Sequence, residues 1–152
     1  MSEQKKITVN KKAFHNYEII EKYEAGMALV GSEIKSIREG KVNLKDSYVE
    51  IRAGEAFLLN AHISAYSNAS YNNHEPERVR KLLLHKRELL KLDKKVRTKG
   101  MSIIPLRMYF NPKGKVKIEI SLAKGKRVYE KKQKIKDRDI KRDVDREMKS
   151  YR

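Results

Sequence analysis

Two segments rich in apolar residues, 102–110 and 115–122, restrict the possible fold of this chain more than any other part of it. In the second segment every other residue from Val116 to Leu122 is aliphatic, and mostly polar residues fill the positions between them. This period of two is typical of a β-strand with one buried and one solvated face. Residues 111–114 are Asn, Pro, Lys and Gly, which favour a turn, so the two segments predict an antiparallel hairpin.

Further strands are predicted upstream of this hairpin. Residues 17–30 alternate in part, which predicts a strand or a strand pair, and Gly26 within them predicts a bulge or a sharp bend. Short apolar runs at 48–51 and 56–59 flank a turn of Ala, Gly and Glu. They predict a second hairpin whose second strand extends through residues 60–63.

Two helices and one long loop are predicted between these strands. Ser32 can cap a helix that ends at Arg38 and is followed by Gly40. Residues 64–80 are rich in serine, asparagine and tyrosine, and they predict a long surface loop. Residues 80–99 place leucines on one helical face and basic residues on the other, which predicts the clearest helix. The sum is a mainly β chain that forms a small antiparallel barrel with two or three flanking helices.

The two ends of the chain differ in kind from its middle. Residues 1–12 are polar and predict a flexible basic arm, residues 13–123 predict the barrel, and residues 124–152 predict a basic tail. From position 123 to the end there are 13 basic and six acidic residues but few aliphatic ones. Such a segment cannot bury enough apolar surface to order itself, although charges alternate at i, i+4 along part of it. We therefore expect a tail that is disordered alone and helical when a partner surrounds it.

The formal charge of +17 makes a polyanion the expected partner, because clustered lysine and arginine displace the counterions of phosphates. A basic surface that only serves solubility is the alternative. No apolar run approaches the roughly 20 residues that span a membrane, and no apolar segment follows the first six residues as in a signal peptide. With no cysteine, the chain is expected in the reducing cytoplasm, without disulfides or thiolate metal sites.

The sequence offers little for catalysis or for a metal centre. The four histidines are scattered along the chain: His15, His62, His74 and His85. None of them has the i, i+3 or i, i+4 spacing of a metal site, and no phosphate-binding loop, dinucleotide fingerprint or nucleophile motif is present. Glu24, Glu33 and Asp46 could together bind Mg²⁺ in a nuclease, but pairing with lysines or with nucleotide donors is the favoured interpretation. We therefore expect no enzymatic activity.

Aromatic residues are interleaved with basic ones in this sequence. There are eight tyrosines and three phenylalanines, and stacking of bases on such side chains is a common means of binding RNA. Most of them, Tyr109 among them, lie in predicted strands and are expected in the core. Tyr129 instead stands among the basic residues of the tail, so it is either a stacking residue or a spacer.

Several short motifs point to one known family. In chain order they are Asn10-Lys11-Lys12-Ala13 with His15, Tyr23-Glu24-Ala25-Gly26, Glu33-Ile34-Lys35-Ser36, Asn43-Leu44-Lys45-Asp46-Ser47-Tyr48-Val49, Arg80-Lys81-Leu82-Leu83-Leu84-His85-Lys86-Arg87-Glu88 and Ala123-Lys124-Gly125-Lys126. Together they resemble the SsrA-binding proteins, the small protein B family of bacterial trans-translation. The resemblance covers nearly the whole chain from residue 10 onward.

The resemblance implies an oligonucleotide-binding-type (OB-like) barrel that grips the tRNA-like domain of transfer-messenger RNA. It also implies that the tail enters the decoding centre and the empty mRNA channel of a stalled ribosome, where it meets small-subunit rRNA. Elongation factor Tu, bound to the aminoacylated RNA, is a further implied partner. No cofactor and no membrane are implied.

The resemblance also assigns contact residues on the barrel. Glu24, Leu83 and Lys117 would form the RNA-binding cluster with His15 beside them, although Leu83 could equally be a core residue. The full set of implied RNA contacts is Lys11, Lys12, His15, Glu24, Glu33, Lys35, Asn43, Lys45, Leu83, His85, Lys86, Arg87, Lys117 and Lys124.

In the tail, the His-Asp-Lys-Arg-like signature of the family is replaced by Tyr129-Glu130-Lys131-Lys132. Tyrosine can still stack on a nucleotide of the decoding centre, but Lys132 lacks the bidentate phosphate geometry of arginine. The implied ribosome contacts are Lys126, Arg127, Tyr129, Glu130, Lys131, Lys132, Lys134, Lys136, Arg138, Lys141, Arg142 and Met148. Without the resemblance, the same residues also fit a general rRNA- or tRNA-binding factor of the ribosome, and a metal-dependent nuclease is a more distant alternative.

Overall fold

Alternating side chains and well-placed turn residues make strands the commonest element among the described residues. The structure is a computed structural model, and it describes residues 5–66 and 73–126. In those two ranges the elements are β1 (Lys5–Val9), α1 (Lys11–Asn16), β2 (Tyr17–Met27), α2 (Gly31–Arg38), β3 (Val42–Asn43), β4 (Tyr48–Arg52), β5 (Glu55–Leu59), β6 (His62–Ile63), β7 (Arg80–Leu83), α3 (Lys86–Val96), β8 (Met101–Phe110) and β9 (Val116–Gly125). The prediction of a mainly β chain is confirmed.

Six of the described strands close into an antiparallel barrel. Hydrogen-bonded neighbours follow one another in the order β8, β4, β5, β7, β2 and β9, and β9 pairs back to β8 along its length. β1 lies outside this ring and pairs with the second half of β8. β3 and β6 form a separate two-stranded sheet. The predicted small OB-like antiparallel barrel is therefore confirmed.

Both predicted hairpins are present. β8 and β9 are joined through residues 111–114, and β4 and β5 are joined through Ala53 and Gly54. Ala53 has φ 50° and Gly54 has φ 77°, as the tight two-residue hairpin turn requires. Asn60, at φ 64°, ends β5 and redirects the chain. The prediction that residues 60–63 extend this strand is therefore wrong, because His62–Ile63 instead pairs with β3.

The irregularity in β2 lies at a different residue from the one predicted. The register of β2 against β9 shifts between Ile19 and Glu21, which places the bulge at Ile20. Gly26 continues the regular pairing and is bonded on both sides, to Leu83 of β7 and Lys117 of β9. The glycine is thus explained by the close approach of these two strands rather than by a bulge.

The helix predicted over residues 80–99 is shorter than expected. Residues Arg80–Leu83 form β7 instead, and α3 begins at Lys86, where the Glu88 carboxylate accepts the backbone N–H of His85 at 3.3 Å. Three consecutive leucines satisfy a helical stripe as well as an alternating strand, so the sequence pattern was ambiguous. Leu92 of α3 is fully buried and joins the core of the barrel.

The second helix, α2, begins without the predicted serine cap. The Glu33 carboxylate accepts the backbone N–H of Val30 at 2.9 Å, and this contact closes the first turn. The Ser32 hydroxyl is used elsewhere, in a 2.8 Å hydrogen bond with Nδ1 of His74. The predicted end of the helix at Arg38, followed by Gly40, is confirmed.

Two expectations about the ends of the chain can be compared with the structure. Residues 5–12 do not form a flexible arm, because β1 pairs with β8 and α1 begins at Lys11. β9 continues to Gly125, two residues past the expected end of the barrel. Residues 1–4, 67–72 and 127–152 lie outside the described residues, and so do the predictions for most of the tail.

The core lies inside the barrel and is almost entirely aliphatic. Its fully buried members include Leu58, Leu82, Met108, Ile118 and Ile120, contributed by four of the six strands. A smaller cluster lies under α1, on the outer side of β8 and β9, and consists of Ala13, Ile104, Leu106 and Ala123. The smaller cluster holds α1 against the barrel wall, and the larger one holds the strands of the wall together.

Candidate nucleic-acid interface

The outer face of the wall formed by β2, β7 and β9 carries three of the predicted contact residues. Gly26 pairs with Leu83 and with Lys117, and Glu24 lies two residues before it on the same face of β2. A Cβ atom on Gly26 would lie 3.4 Å from Leu83 Cβ and 3.5 Å from Lys117 Nζ. Because glycine has no side chain, the leucine and the lysine meet above it. The structure thus brings Glu24, Leu83 and Lys117 together; these three residues are called the wall cluster below.

Leu83 is a surface residue and not part of the core. Its side chain is 52% exposed, whereas the neighbouring Leu82 is 1% exposed, because successive residues of a strand point to opposite faces. Beside it lies a concavity of about 330 Å³ whose lining includes Met27, Ile34 and Arg38. An apolar surface flanked by cations suits a base or a ribose as well as a phosphate.

Glu24 is held by a tyrosine rather than by a cation. The Tyr109 hydroxyl donates to Oε2 of Glu24, and burial together with this hydrogen bond raises the pKa of Tyr109. The Arg107 guanidinium lies 5.2 Å from the centre of the Tyr109 ring. Arg107 also pairs at 3.3 Å with Glu119, the cross-strand neighbour of Glu24. Glu24 itself forms no ion pair with any residue in 5–66 or 73–126.

Helix α1 presents a second set of predicted contacts. Asn10 is buried and anchors the helix start, because its Nδ2 donates to the carbonyl oxygens of Pro105 at 2.9 Å and Leu44 at 3.3 Å. Its Oδ1 also accepts the backbone N–H of Ala13 as an N-cap. This anchoring leaves three predicted contacts of α1 exposed: Lys11, Lys12 and His15.

Lysines surround a shallow concavity next to α1. Its volume is about 200 Å³, and Lys11, Lys12, Asn43 and Lys45 lie around it, all of them predicted contacts. Lys12 Nζ is 2.7 Å from Asp46, and this hydrogen bond lowers the pKa of the Asp46 carboxyl. Lys11 and Lys45 have no ion pair within the described part of the chain, so their charges face solvent.

Glu33 is corrected from a direct RNA contact to a buried residue. Its side chain has no exposed surface, and Arg80, at 2.6 Å, and Arg78, at 2.7 Å, bind its two carboxylate oxygens. Burial alone would raise the pKa of Glu33, but the hydrogen bonds from Arg78, the Val30 N–H and Arg80 outweigh it and lower this pKa. The carboxylate therefore has no surface to offer a nucleotide, although it positions α2.

The other predicted contact of α2, Lys35, is exposed. Its Nζ lies 5.5 Å from the centre of the Tyr66 ring, which is a cation–π distance. The backbone N–H and carbonyl of Tyr66 both bond the side-chain amide of Asn73, at 3.1 and 2.9 Å. Lys35 therefore lies beside Tyr66, whose backbone is held by Asn73.

The predicted contacts near α3 lie at its first turn. His85 is the residue before the helix, and its side chain is exposed. Lys86 and Arg87 are exposed in the first turn and extend the basic surface from β7 toward the helix. They follow Leu83 by three and four residues, so they lie on the chain that leaves the wall cluster.

The last predicted contacts lie where β9 ends. Lys124 is half-buried and pairs across the strands with Glu18. The backbone N–H of Lys126 donates to the carbonyl oxygen of Asn16 at 3.0 Å, which fixes the point where the tail begins. The other predicted ribosome contacts, from Arg127 to Met148, lie outside the described residues.

Tyr109 is buried, as expected of a core residue, but it is buried on the outer wall of the barrel, and Arg107 was not predicted as a site residue. Both side chains lie on the outer face of β8, where they contact Glu24 and Glu119. The available signal was the alternation of Arg107 and Tyr109 with the buried residues Leu106 and Met108. The two arginines of the Glu33 site, Arg78 and Arg80, were also not predicted as its partners.

The described ranges contain neither a cluster of metal ligands nor a membrane-spanning helix. No group of three or more His, Asp or Glu side chains there could hold a metal ion. Among the described helices, none has both the length and the apolar character needed to cross a membrane.

Comparisons with known proteins identify relatives over almost the whole length of the chain. Residues 7–150 match the family model described as SmpB protein. The SsrA-binding protein of Persephonella marina is 59% identical over 145 residues, which cover 95% of each chain. That of Syntrophobacter fumaroxidans is 56% identical over 140 residues, which cover 92% of this chain and 86% of the relative. A solved chain described as "tmRNA-SmpB: a journey to the center of the bacterial ribosome" is 49% identical to this chain and has a TM-score of 0.68. The match covers 82% of this chain and 87% of the solved chain. By sequence and by fold, this chain belongs to the SmpB family.

Proposed function

We propose that this chain is an RNA-binding adaptor that binds the tRNA-like domain of transfer-messenger RNA and delivers it to stalled ribosomes for trans-translation. Its relatives are SsrA-binding proteins that match at 50–59% identity, and the solved relative is described with tmRNA and the bacterial ribosome. In this proposal the RNA supplies alanine and the reading frame of a degradation tag, and the protein replaces the missing codon–anticodon duplex.

The wall cluster is the observation that carries the proposal. A surface made only for phosphates would carry cations alone, whereas this one places Lys117 beside an exposed leucine and a carboxylate that no cation of residues 5–66 and 73–126 pairs with. Lysine can bind a phosphate, leucine can pack against a sugar or a base, and the Glu24 carboxylate can accept hydrogen bonds from ribose or base groups. Such a mixture favours recognition of a folded RNA over nonspecific attraction.

The lysines near α1 supply a second contact area in this proposal. Lys11, Lys12 and Lys45 lie around the 200 Å³ concavity, and His15 is exposed on the same helix as Lys11 and Lys12. Cations on a fixed helix start can follow the phosphate backbone of a structured RNA. His15 can stack on a base or donate a hydrogen bond to it.

The tail is assigned to the ribosome. In the proposal it occupies the decoding centre and the empty mRNA channel, where it contacts small-subunit rRNA, while elongation factor Tu holds the aminoacylated end of the RNA. The tail begins at a defined point, because Lys126 is bonded to Asn16, the last residue of α1. Its excess of basic residues, which include Arg127, Lys131, Lys132 and Lys134, matches an rRNA-lined channel.

Purification of the tagged chain from a bacterial lysate, followed by sequencing of the bound RNA, tests the proposal. One dominant RNA of several hundred nucleotides supports the adaptor, because a structured partner outcompetes bulk RNA. A mixture of tRNA or rRNA in proportion to their abundance would instead support a general ribosome-associated binder. Labelled RNA incubated with the chain and Mg²⁺ should stay intact, and cleavage that a chelator abolishes would indicate a nuclease.

A pair of double variants tests the assigned face. Glu24→Ala with Lys117→Ala should weaken binding of a transcript of the tRNA-like domain and leave the fold intact by circular dichroism. Glu50→Ala with Arg52→Ala is the matched control, because it also removes one exposed acid and one exposed base, from a strand on another side of the barrel. Equal affinities of both double variants in moderate salt would contradict the assigned face.

A further inference from the structure

Tyr109 contributes a single polar group to the outer wall of the barrel. Tyr109 is 2% exposed, and its hydroxyl donates to Oε2 of Glu24. The Arg107 guanidinium covers the ring at 5.2 Å, so the ring is fixed on two sides. A tyrosine held in this way has little freedom to move, and it transfers that order to the carboxylate that it bonds.

The position of Glu24 is electrostatically unfavourable without such a partner. Glu24 and Glu119 are direct cross-strand neighbours, and like charges in that arrangement destabilise a sheet. Glu119 is neutralised by Arg107 at 3.3 Å, but among the residues that the structure describes Glu24 is bonded only by the neutral hydroxyl of Tyr109. The wall therefore retains one full negative charge where a lysine or a neutral residue would be less costly.

The geometry leaves one oxygen of this carboxylate available. Tyr109 binds Oε2, and no residue of the described ranges donates to Oε1. Lys117 lies on the neighbouring strand, opposite Gly26, and can bind a phosphate of the same ligand. A carboxylate accepts hydrogen bonds and repels phosphate, so its ligand must present N–H or O–H donors beside a phosphate. In RNA these donors are the amino and imino groups of bases and the ribose 2′-hydroxyl.

We infer that Tyr109 is a positioning residue, which orients the Glu24 carboxylate to accept hydrogen bonds from a base edge or a ribose 2′-hydroxyl of the bound RNA. The inference rests on the proposed function, because it names the chemical groups that the wall cluster recognises. It assigns selectivity for a folded RNA to the Tyr109–Glu24 pair and overall attraction to the lysines.

Strand β2, which contains Glu24, also contains a matched control for Tyr109. The Tyr23 hydroxyl also donates to a carboxylate, that of Glu21, and burial with this hydrogen bond raises the pKa of Tyr23 to about 12. Glu21 differs from Glu24 in that Lys95 of α3 binds it, and these contacts lower the pKa of Glu21. Tyr23 and Glu24 are adjacent in β2 and point to opposite faces, so Tyr23→Phe removes an equivalent hydroxyl away from the wall cluster.

The experiment measures the affinity of full-length variants for a transcript of the tRNA-like domain, with poly(U) as the unstructured probe. Tyr109→Phe should weaken transcript binding about five- to tenfold, less than the loss of a hydrogen bond to a charged group because Glu24 itself is kept, and leave poly(U) binding unchanged. Tyr23→Phe should change neither affinity. In the Glu24→Ala background, Tyr109→Phe should have no further effect on transcript binding, because the group that it positions is gone.

The salt dependence separates positioning from loss of charge. Lys117→Ala should reduce the slope of log K against log salt by about one, whereas Tyr109→Phe should leave this slope unchanged. Transcripts with inosine in place of guanosine, or with 2′-deoxyribose, distinguish a base edge from a 2′-hydroxyl as the ligand. The probe that lacks the recognised group should show no difference between wild type and Tyr109→Phe.

Two results would overturn different conclusions. If the wild type binds the transcript no more tightly than poly(U), the proposed function itself fails. If the wild type is selective but Tyr109→Phe binds the transcript equally well, or loses poly(U) binding to the same extent, the positioning role fails and the proposed function stands.

Discussion

Glu33 and Arg80 form a fully buried ion pair that ties α2 to β7. Arg80 donates to Glu33 at 2.6 Å and to the carbonyl oxygens of Ala61, at 2.7 Å, and Pro76, at 3.0 Å. Burying two charges is costly, and such a pair persists only when its hydrogen bonds are satisfied. No buried side-chain nitrogen or oxygen of the described residues lacks a partner, so this condition is met here. Removal of one partner would leave the other charge buried and unpaired.

Glu33→Gln is therefore expected to lower the free energy of unfolding by about 3–5 kcal/mol, measured by urea denaturation at neutral pH. Glu39→Gln is the control, because Glu39 pairs with Lys41 at 3.4 Å in an exposed position. An exposed pair contributes below about 1 kcal/mol, so this variant should resemble the wild type. Similar losses in both variants would contradict the structural role assigned to Glu33.

The stabilising effect of Glu33 should depend on pH. The pKa of this carboxyl is lowered in the folded state, so its stabilisation is present above the unfolded pKa of about 4.3 and is lost as the pH falls through the folded pKa. The difference in unfolding free energy between wild type and Glu33→Gln should be constant near neutral pH and should decrease below about pH 4. A difference that stays the same throughout an acid titration would contradict this prediction.

Glu24→Gln tests whether the negative charge of Glu24 strengthens or weakens RNA binding. On a protein of formal charge +17, removing an acid should strengthen RNA binding if only long-range attraction matters. We expect weaker binding of the tRNA-like transcript instead, because the amide accepts hydrogen bonds less strongly than a carboxylate does. Glu18→Gln, an exposed acid of the same strand, is the control and should bind equally well or slightly more tightly. Tighter binding by Glu24→Gln would remove the basis for reading Glu24 as an acceptor.

At the scale of elements, β7 decides the shape of the candidate interface. As a strand, residues 80–83 point Leu82 into the barrel and Leu83 toward solvent, whereas a helix would have placed the leucines along one stripe. Leu82 pairs with Ala56 and Met27, which fixes β7 between β5 and β2. The exposure of Leu83 is therefore a consequence of sheet register.

Leu82→Ala should lower the free energy of unfolding by about 2–5 kcal/mol, because it leaves a cavity in the core. Leu83→Ala should change it by less than about 0.5 kcal/mol, because the side chain is largely in solvent. Thermal and urea unfolding of both variants provide the measurement. The stability costs would be similar if the two leucines were equivalent core residues of one helix, and that outcome would contradict the strand.

The sequence predicted the elements with strong local signals and failed where the local pattern fits two structures. The hairpin of β8 and β9 has alternation in its second strand and turn residues at 111–114, so its limits were predicted to within one residue except at the end of β9, which continues to Gly125. The run of three leucines fits both periods, and only the pairing of Leu82 with other strands decides between them. The contact of Tyr109 with Glu24 joins residues 85 positions apart, and local pattern carries no information about such a pair.

For the candidate site, the resemblance was more informative than the pattern. The clustering of Glu24, Leu83 and Lys117 follows from three strands that meet at Gly26, and the sequence alone does not show which strands pair. Glu33 illustrates the opposite case. It belongs to a motif of the family and was expected at the surface, but its two arginine partners bury it.

At the scale of the whole molecule, the proposed function divides the chain into a barrel that holds a structured RNA and a basic tail that acts on the ribosome. The described barrel ends where Lys126 bonds Asn16, and the sequence from Arg127 onward adds a further excess of positive charge. This division predicts that RNA binding and ribosome rescue can be separated by removing the tail.

Translation of an mRNA without a stop codon, reconstituted with transfer-messenger RNA, tests this division most directly. A chain ended after Val128 should bind the tRNA-like transcript in moderate salt as the full chain does, but it should add no tag to the stalled peptide. The full chain should tag it, and Tyr129→Ala should show whether stacking by this residue is required. Normal tagging by the shortened chain, or loss of transcript binding with its fold intact, would contradict the account.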